Sequence, residues 1–265
     1  MYAPLQLAQK FLKYYCTASN GKGHGIHSPF VYDFVTRVLN DTQAYPCYKS
    51  IEAERKKLLQ NKNRIPVQDF GAGSAVIATN KRPIKKIAAS SLKPAKYAQL
   101  LYRIVQYFQP ATLLELGTSL GITSSYMASA NRSGKLFTCE GSPEIAQIAQ
   151  QVFDTLQLKN ISLVEGNFRD TLQPLLQKTG NIDFAFIDGH HRKEPTLLYF
   201  QQILKNCHSK SIVIFDDIHW SKEMEEAWQN IKNHSAVTLS IDLFFIGIVF
   251  FNKDFKEKQD FIIRF

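Results

Sequence analysis

The spacing of apolar residues changes character near residue 110. Before it, apolar positions recur every three or four residues over 5–15 and 30–39, the period of a helix that buries one stripe. Ser28-Pro29 precedes the second stretch, a capping residue followed by a proline suited to a first helical turn. A charged helix over 51–60 and another helix over 94–108 complete a region of helices and loops. Beyond residue 110, short apolar runs alternate with amphipathic stretches. Strands are predicted over 112–115, 135–140, 161–165, 182–188, 211–216, 237–241 and 246–251, and helices over 122–130, 143–156, 196–205 and 222–232. Such alternation builds a mainly parallel sheet with helices on both faces. Only a few residues around Phe244-Phe245 separate the last two strands, too few for a parallel crossover, so an antiparallel hairpin is expected. The expectation is an α/β chain with a helical N-terminal extension over 1–110 and a sheet domain over 111–265.

Composition narrows this picture. The chain has 265 residues, 45 % of them hydrophobic, enough for a full α/β core. Charged residues at 21 % and aromatics at 12 % exclude a disordered chain. The net charge of +9 and pI near 9.3 suit an anionic small molecule or a polyanion such as RNA. The lysines are spread over many segments, residues 81–86 being one basic stretch, so charge alone does not choose between them. Cys16, Cys47, Cys139 and Cys207 form no C-x-x-C pair, which argues against zinc and a disulfide framework and for a reducing cytoplasm. No basic segment followed by an apolar one opens the chain, and the apolar run over 243–251 is far short of the ~20 residues that cross a bilayer, so no membrane partner is expected. A homodimer stays open.

The chemistry concentrates after the first predicted strand, in Glu115-Leu116-Gly117-Thr118-Ser119-Leu120-Gly121-Ile122-Thr123. Gly117 permits a sharp turn and Gly121 a close approach of ligand to the next helix. The G-x-x-x-G spacing differs from the G-x-G-x-x-G of pyrophosphate binders, which disfavours a dinucleotide oxidoreductase. Glu140, followed by Gly141, ends the next strand, where a carboxylate can accept both hydroxyls of a ribose. Asp188 ends the fourth strand, in Asp188-Gly189-His190-His191, and Asp216-Asp217 end the fifth. Adjacent carboxylates are costly unless paired, protonated or bound to a cation, so Mg²⁺ or another hard divalent ion is a natural partner for Asp188, Asp216 and Asp217.

The Glu115–Thr123 run resembles motif I of class I S-adenosylmethionine (AdoMet)-dependent methyltransferases, in the style of the catechol and caffeoyl-CoA O-methyltransferases. The likeness covers residues 94–251 and implies a Rossmann-like, seven-stranded, mostly parallel sheet with an antiparallel last strand. It implies that Glu115, Gly117, Thr118, Ser119, Gly121 and Thr123 surround the methionine part of AdoMet. Glu140 and Gly141 would then hold the ribose, Asn167 and Phe168 the adenine, and Asp188 and His190 would border the cofactor. The family's metal aspartates match Asp188 and Asp216. Asp217 stands where the family has asparagine, and His191 where it has a catalytic lysine. An imidazole there can serve as general base beside Asp188. The implied activity is methylation of a small-molecule hydroxyl. RNA methylation and non-catalytic AdoMet binding remain the alternatives. Two N-terminal segments, the His24 and His27 loop and Asp69-Phe70-Gly71-Ala72-Gly73-Ser74, are read as candidate lid or linker loops.

Overall fold

A computed structural model describes residues 1–67 and 80–265. The first half of the chain forms α1 (Pro4–Thr17), α2 (Pro29–Phe34) continued by a π-helical turn (Val35–Leu39), α3 (Pro46–Gln60), β1 (Arg64–Val67), β2 (Asn80–Pro83), α4 (Ile84–Ser91) and α5 (Ala95–Phe108). Then follow β3 (Thr112–Leu116), α6 (Ile122–Ala130), β4 (Lys135–Glu140), α7 (Pro143–Thr155), β5 (Ile161–Glu165) and α8 (Phe168–Thr179). The last part holds β6 (Ile182–Ile187), α9 (Lys193–Leu204), β7 (Cys207–Asp216), α10 (Lys222–Asn233), β8 (Leu239–Asp242), β9 (Ile246–Phe250) and β10 (Gln259–Ile262). Packing divides the chain into two units, residues 42–179 and residues 1–41 with 180–265.

In the 42–179 unit, β3, β4 and β5 run parallel, with Leu113 opposite Leu136 and Cys139 opposite Val164. The sequence dictates this, because each strand is followed by a helix long enough to carry the chain back. Ile51 of α3, Ile87 of α4, Tyr102 of α5, Tyr126 of α6 and Val152 of α7 meet in one buried cluster. Burial of these side chains holds the helices in place. β1 and β2 form a separate antiparallel pair, with Arg64 opposite Pro83. That pair corrects the expectation of helices and loops alone: Arg-Ile-Pro-Val and Asn-Lys-Arg-Pro show no two-residue alternation by which to recognise strands.

The other unit orders its strands β6-β7-β9-β8-β10. β6 and β7 are parallel, and β9 lies antiparallel to both β7 and β8. The predicted hairpin is present, pairing Leu239 with Phe250 and Asp242 with Gly247. Gly247 is required by packing, since a Cβ there would stand 2.7 Å from the Trp228 ring of α10. α10 begins at Ser221, whose hydroxyl accepts from the Met224 N–H, and its first turn carries Glu223 and Glu225 against the helix dipole. Phe11 and Tyr14 of α1 pack on Phe244, and the Tyr14 hydroxyl donates to the Ile263 carbonyl.

The strand count also differs from expectation. β10 is an added strand parallel to β8, so the two units hold eight strands besides β1 and β2 where seven were expected. α8 fills the gap between the third and fourth predicted strands, where a helix is expected without definite bounds, and carries Pro174 inside it. Ser28 does stand at the start of α2, but its side chain makes no capping hydrogen bond there. Among the described residues, no helix is long and apolar enough to cross a membrane. Residues 69–74 lie outside the described residues.

Candidate active site

The glycine loop lies in the 42–179 unit, between β3 and α6. Gly117 takes φ +105° and Gly121 φ +79°, values that favour glycine. The N–H groups of Gly117 and Thr118 both donate to the Cys139 carbonyl of β4, at 3.0 and 3.1 Å, which pins the turn to the neighbouring strand. Ser119, also left-handed at φ +48°, turns its N–H to Glu140 Oε2 at 2.9 Å. The other oxygen, Oε1, accepts from the Ser142 N–H at 2.9 Å. Burial raises the Glu140 pKa, and the N–H groups of Ser142, Ser119 and Gly141 work against that rise. A Cβ on Gly121 would lie 2.7 Å from Phe153 Cε1 and 3.1 Å from Ala149 Cβ, so packing against α7 by itself excludes a side chain there.

Glu115 is fully buried at the end of β3. Burial pushes its pKa up to about 7, and the donating hydroxyls of Ser124 and Thr138 offset this only in part. Both hydroxyls serve Oε2. Oε1 is buried and has no hydrogen-bond partner among the described residues. Thr118 Oγ1 lies 2.6 Å from Thr138 Oγ1, extending the same network. Thr123 is buried in the first turn of α6. Asn167 precedes α8, where its Oδ1 accepts from the Arg169 N–H at 3.0 Å, and Phe168 is buried at the start of that helix. Ser91 Oγ, which no sequence signal marked, lies 2.8 Å from Ser119 Oγ.

The other unit gathers the carboxylates and imidazoles. Asp188 follows β6 and Asp216 ends β7, only 3 % exposed. Potential ligand atoms of Asp188, His191 and Asp216 all lie within 4.8 Å of one another. His191 Nε2 is 3.5 Å from Asp188 Oδ1, and its Nδ1 is 3.9 Å from Asp217 Oδ2. His190, His191 and Asp217 all have positive φ, at 65°, 35° and 53°. Left-handed backbone at such residues costs roughly 1–3 kcal/mol each and collects at working sites. His190 Nδ1 lies 3.1 Å from the Tyr199 hydroxyl of α9, a partner invisible in the sequence. His219 sits beside Asp217 in sequence but serves another network: Nε2 meets Asp242 Oδ2 at 2.8 Å and Nδ1 meets Glu225 Oε1 at 3.1 Å. His24 and His27 are exposed.

Residues 114–218, which run from β3 to just past β7, match the model of a family described as a methyltransferase domain. Two curated relatives match parts of the chain. The catechol O-methyltransferase of Niastella koreensis is 32 % identical over 146 residues, covering 53 % of this chain and 64 % of that protein. The catechol O-methyltransferase of Sus scrofa is 35 % identical over 97 residues, 35 % of this chain and 52 % of its own length. The chain therefore spans less than two thirds of the length of these relatives. The solved structure of an O-methyltransferase from Bacillus cereus, in complex with S-adenosylhomocysteine, superposes with a TM-score of 0.58 at 20 % identity. That likeness covers 83 % of this chain and 97 % of the other and shows a shared fold. Within the matched residues, the glycine loop occupies the strand-to-helix turn where open α/β sheets bind their ligands.

Proposed function

We propose that this protein is an AdoMet-dependent O-methyltransferase acting on a hydroxyl of a small molecule. The buried, unpartnered Oε1 of Glu115 carries the reading. A lone buried acceptor is costly, and the ammonium of a methionine moiety would satisfy it and favour the ionised carboxylate. Glu140, its carboxylate already fixed by two N–H groups, would accept the ribose hydroxyls through its remaining lone pairs. Gly117, Thr118, Ser119, Gly121 and Thr123 would shape the methionine end, with Gly141 beside the ribose. Asn167 and Phe168 would border the adenine, and Asp188 and His190 the rest of the cofactor.

When bound, AdoMet supplies a methyl group on a positively charged sulfur. The chain then has to hold the acceptor oxygen in line and receive its proton. We assign proton removal to Asp188, His191 and Asp216, the three groups whose donor atoms cluster. In a metal-free form, His191 accepts the proton while Asp188 favours the imidazolium that results. In a metal-dependent form, Asp188 and Asp216, with Asp217 next to them, would hold a divalent cation, which would supply Lewis acidity toward the hydroxyl. Residues 111–265 carry this chemistry, and residues 1–110 contribute to acceptor selection. The four free cysteines favour a cytoplasmic setting.

Transfer of labelled methyl from AdoMet to a panel of catechols, phenols and RNA tests the reading. It predicts labelled phenolic products. Label in RNA alone, or in neither class, would overturn the choice of acceptor.

A further inference from the structure

We propose that His191 is a metal ligand: with Asp188 and Asp216 it forms a mixed imidazole–carboxylate site for a divalent ion of the manganese-to-zinc series, while Asp217 holds the other ring nitrogen. This inference rests on the reading of the cluster as the proton-removing part of a methyltransferase.

Distance is the first argument. Two ligand atoms ~2.1 Å from a shared ion stand about 3.0 Å apart at a right angle and about 3.4 Å apart at a tetrahedral angle. A direct N–H···O bond would bring the same atoms to ~2.9 Å. His191 Nε2 and Asp188 Oδ1 are 3.5 Å apart, close to the ligand-to-ligand spacing, and Asp216 offers its oxygen within the same 4.8 Å span.

The second argument is the far side of the ring. A ligating imidazole donates its other N–H to a carboxylate or carbonyl, which fixes the tautomer and makes the ligand more basic. His191 Nδ1 faces Asp217 Oδ2 at 3.9 Å, and a small rotation of either side chain closes that gap to a hydrogen bond. Asp217 thereby gains a purpose where the catechol-type families carry asparagine.

Charge is the third. Asp188, Asp216 and Asp217 bring three carboxylates to one place. The lysine that offsets such charge in the catechol-type families is replaced here by an imidazole. A divalent ion there would carry positive charge to the carboxylates, and the imidazole would add a nitrogen donor instead of competing with the ion. A nitrogen donor also sets the choice of metal. Mg²⁺ prefers oxygen and keeps its waters, whereas imidazole binds well along the series from manganese to zinc.

Mn²⁺ is the probe for the test. Electron spin-echo envelope modulation on the Mn²⁺-loaded protein should show coupling to a directly bound imidazole nitrogen. The coupling should vanish in His191→Ala and His191→Gln, with Mn²⁺ affinity lower by at least ~10-fold. Asp217→Asn should keep the coupling and weaken binding by a smaller factor than His191→Ala does. A hundredfold excess of Mg²⁺ should fail to displace Mn²⁺. Mn²⁺ bound without nitrogen coupling, coupling that survives in His191→Ala, or no Mn²⁺ bound at millimolar concentration would each overturn the proposal. Calorimetry with S-adenosylhomocysteine on the same samples separates the two claims. Binding retained by the variants shows them folded, and absence of binding by the unaltered protein sinks the methyltransferase reading whatever the metal does.

Discussion

Replacing Gly121 with alanine tests whether the glycine loop is built by packing. Two costs act together. The residue has φ +79°, where a Cβ costs roughly 1–2 kcal/mol. The new Cβ would also stand 2.7 and 3.0 Å from Phe153 ring atoms and 3.1 Å from Ala149 Cβ. Phe153 is itself buried in α7, so it has no solvent to retreat into, and overpacking of this kind costs about 1–3 kcal/mol. The less flexible unfolded chain returns ~0.4–1 kcal/mol. The net loss is about 2–4 kcal/mol, or on the order of 10 °C in Tm for a chain of this size. Gly25→Ala is the control. It has nearly the same φ, +81°, but nothing lies within 4 Å of its added Cβ, so only the backbone cost of about 1 kcal/mol remains. Urea denaturation followed by circular dichroism, with both variants side by side, reads the difference. If the two losses agree within ~0.5 kcal/mol, the packing argument is wrong.

Glu140→Gln removes the charge that would accept the ribose hydroxyls; S-adenosylhomocysteine should bind ~10–100-fold more weakly by calorimetry, and an unchanged affinity would reject the ribose assignment. Because Glu115 is held at about 7 and its ionised form is the one that would pair with an ammonium, affinity should rise from pH 6 to pH 8 and level off above. Glu115→Gln should flatten that profile, and the same slope in the variant would assign it to another group. For His219, burial pulls the pKa down, but Asp242 and Glu225 outweigh it and leave the net value raised. The stability it contributes is fully present below the ordinary histidine pKa of ~6.5 and disappears as pH rises through the folded value. The unaltered protein should therefore lose stability relative to His219→Gln as pH increases above ~6.5, and parallel denaturation profiles would contradict that.

Much of the α/β architecture is legible where apolar runs stand alone. β4, β5 and α6 match their expected bounds to the residue, because Lys135, Ile161 and Ile122 each begin an uninterrupted pattern. The β8–β9 hairpin follows from the shortness of its connection. Edges and interruptions hide the rest. β10 alternates half-buried and exposed residues with one apolar pair, so its hydrophobic signal is faint. β7 begins at Cys207, earlier than its apolar run, because an irregularity lets Ser211 Oγ donate to the Ile182 carbonyl and accept from the His208 N–H. In the site, the turn glycines and strand-end carboxylates have a local signature. The links from Ser124 and Thr138 to Glu115, from Ser91 to Ser119, and from Tyr199 to His190 join residues distant in sequence and exist only once the chain has folded. His219 stands two residues past Asp217 in sequence, yet its ring is committed to Asp242 and Glu225, which lie elsewhere along the chain.

The account depends most directly on the loop after β3 holding an adenosyl amino acid. Isothermal titration of the purified protein with S-adenosylhomocysteine should give one site of micromolar or tighter affinity, about −8 kcal/mol at 1 μM, and Gly117→Val should abolish it. Absence of binding heat at several temperatures, or equal binding by Gly117→Val, would contradict it.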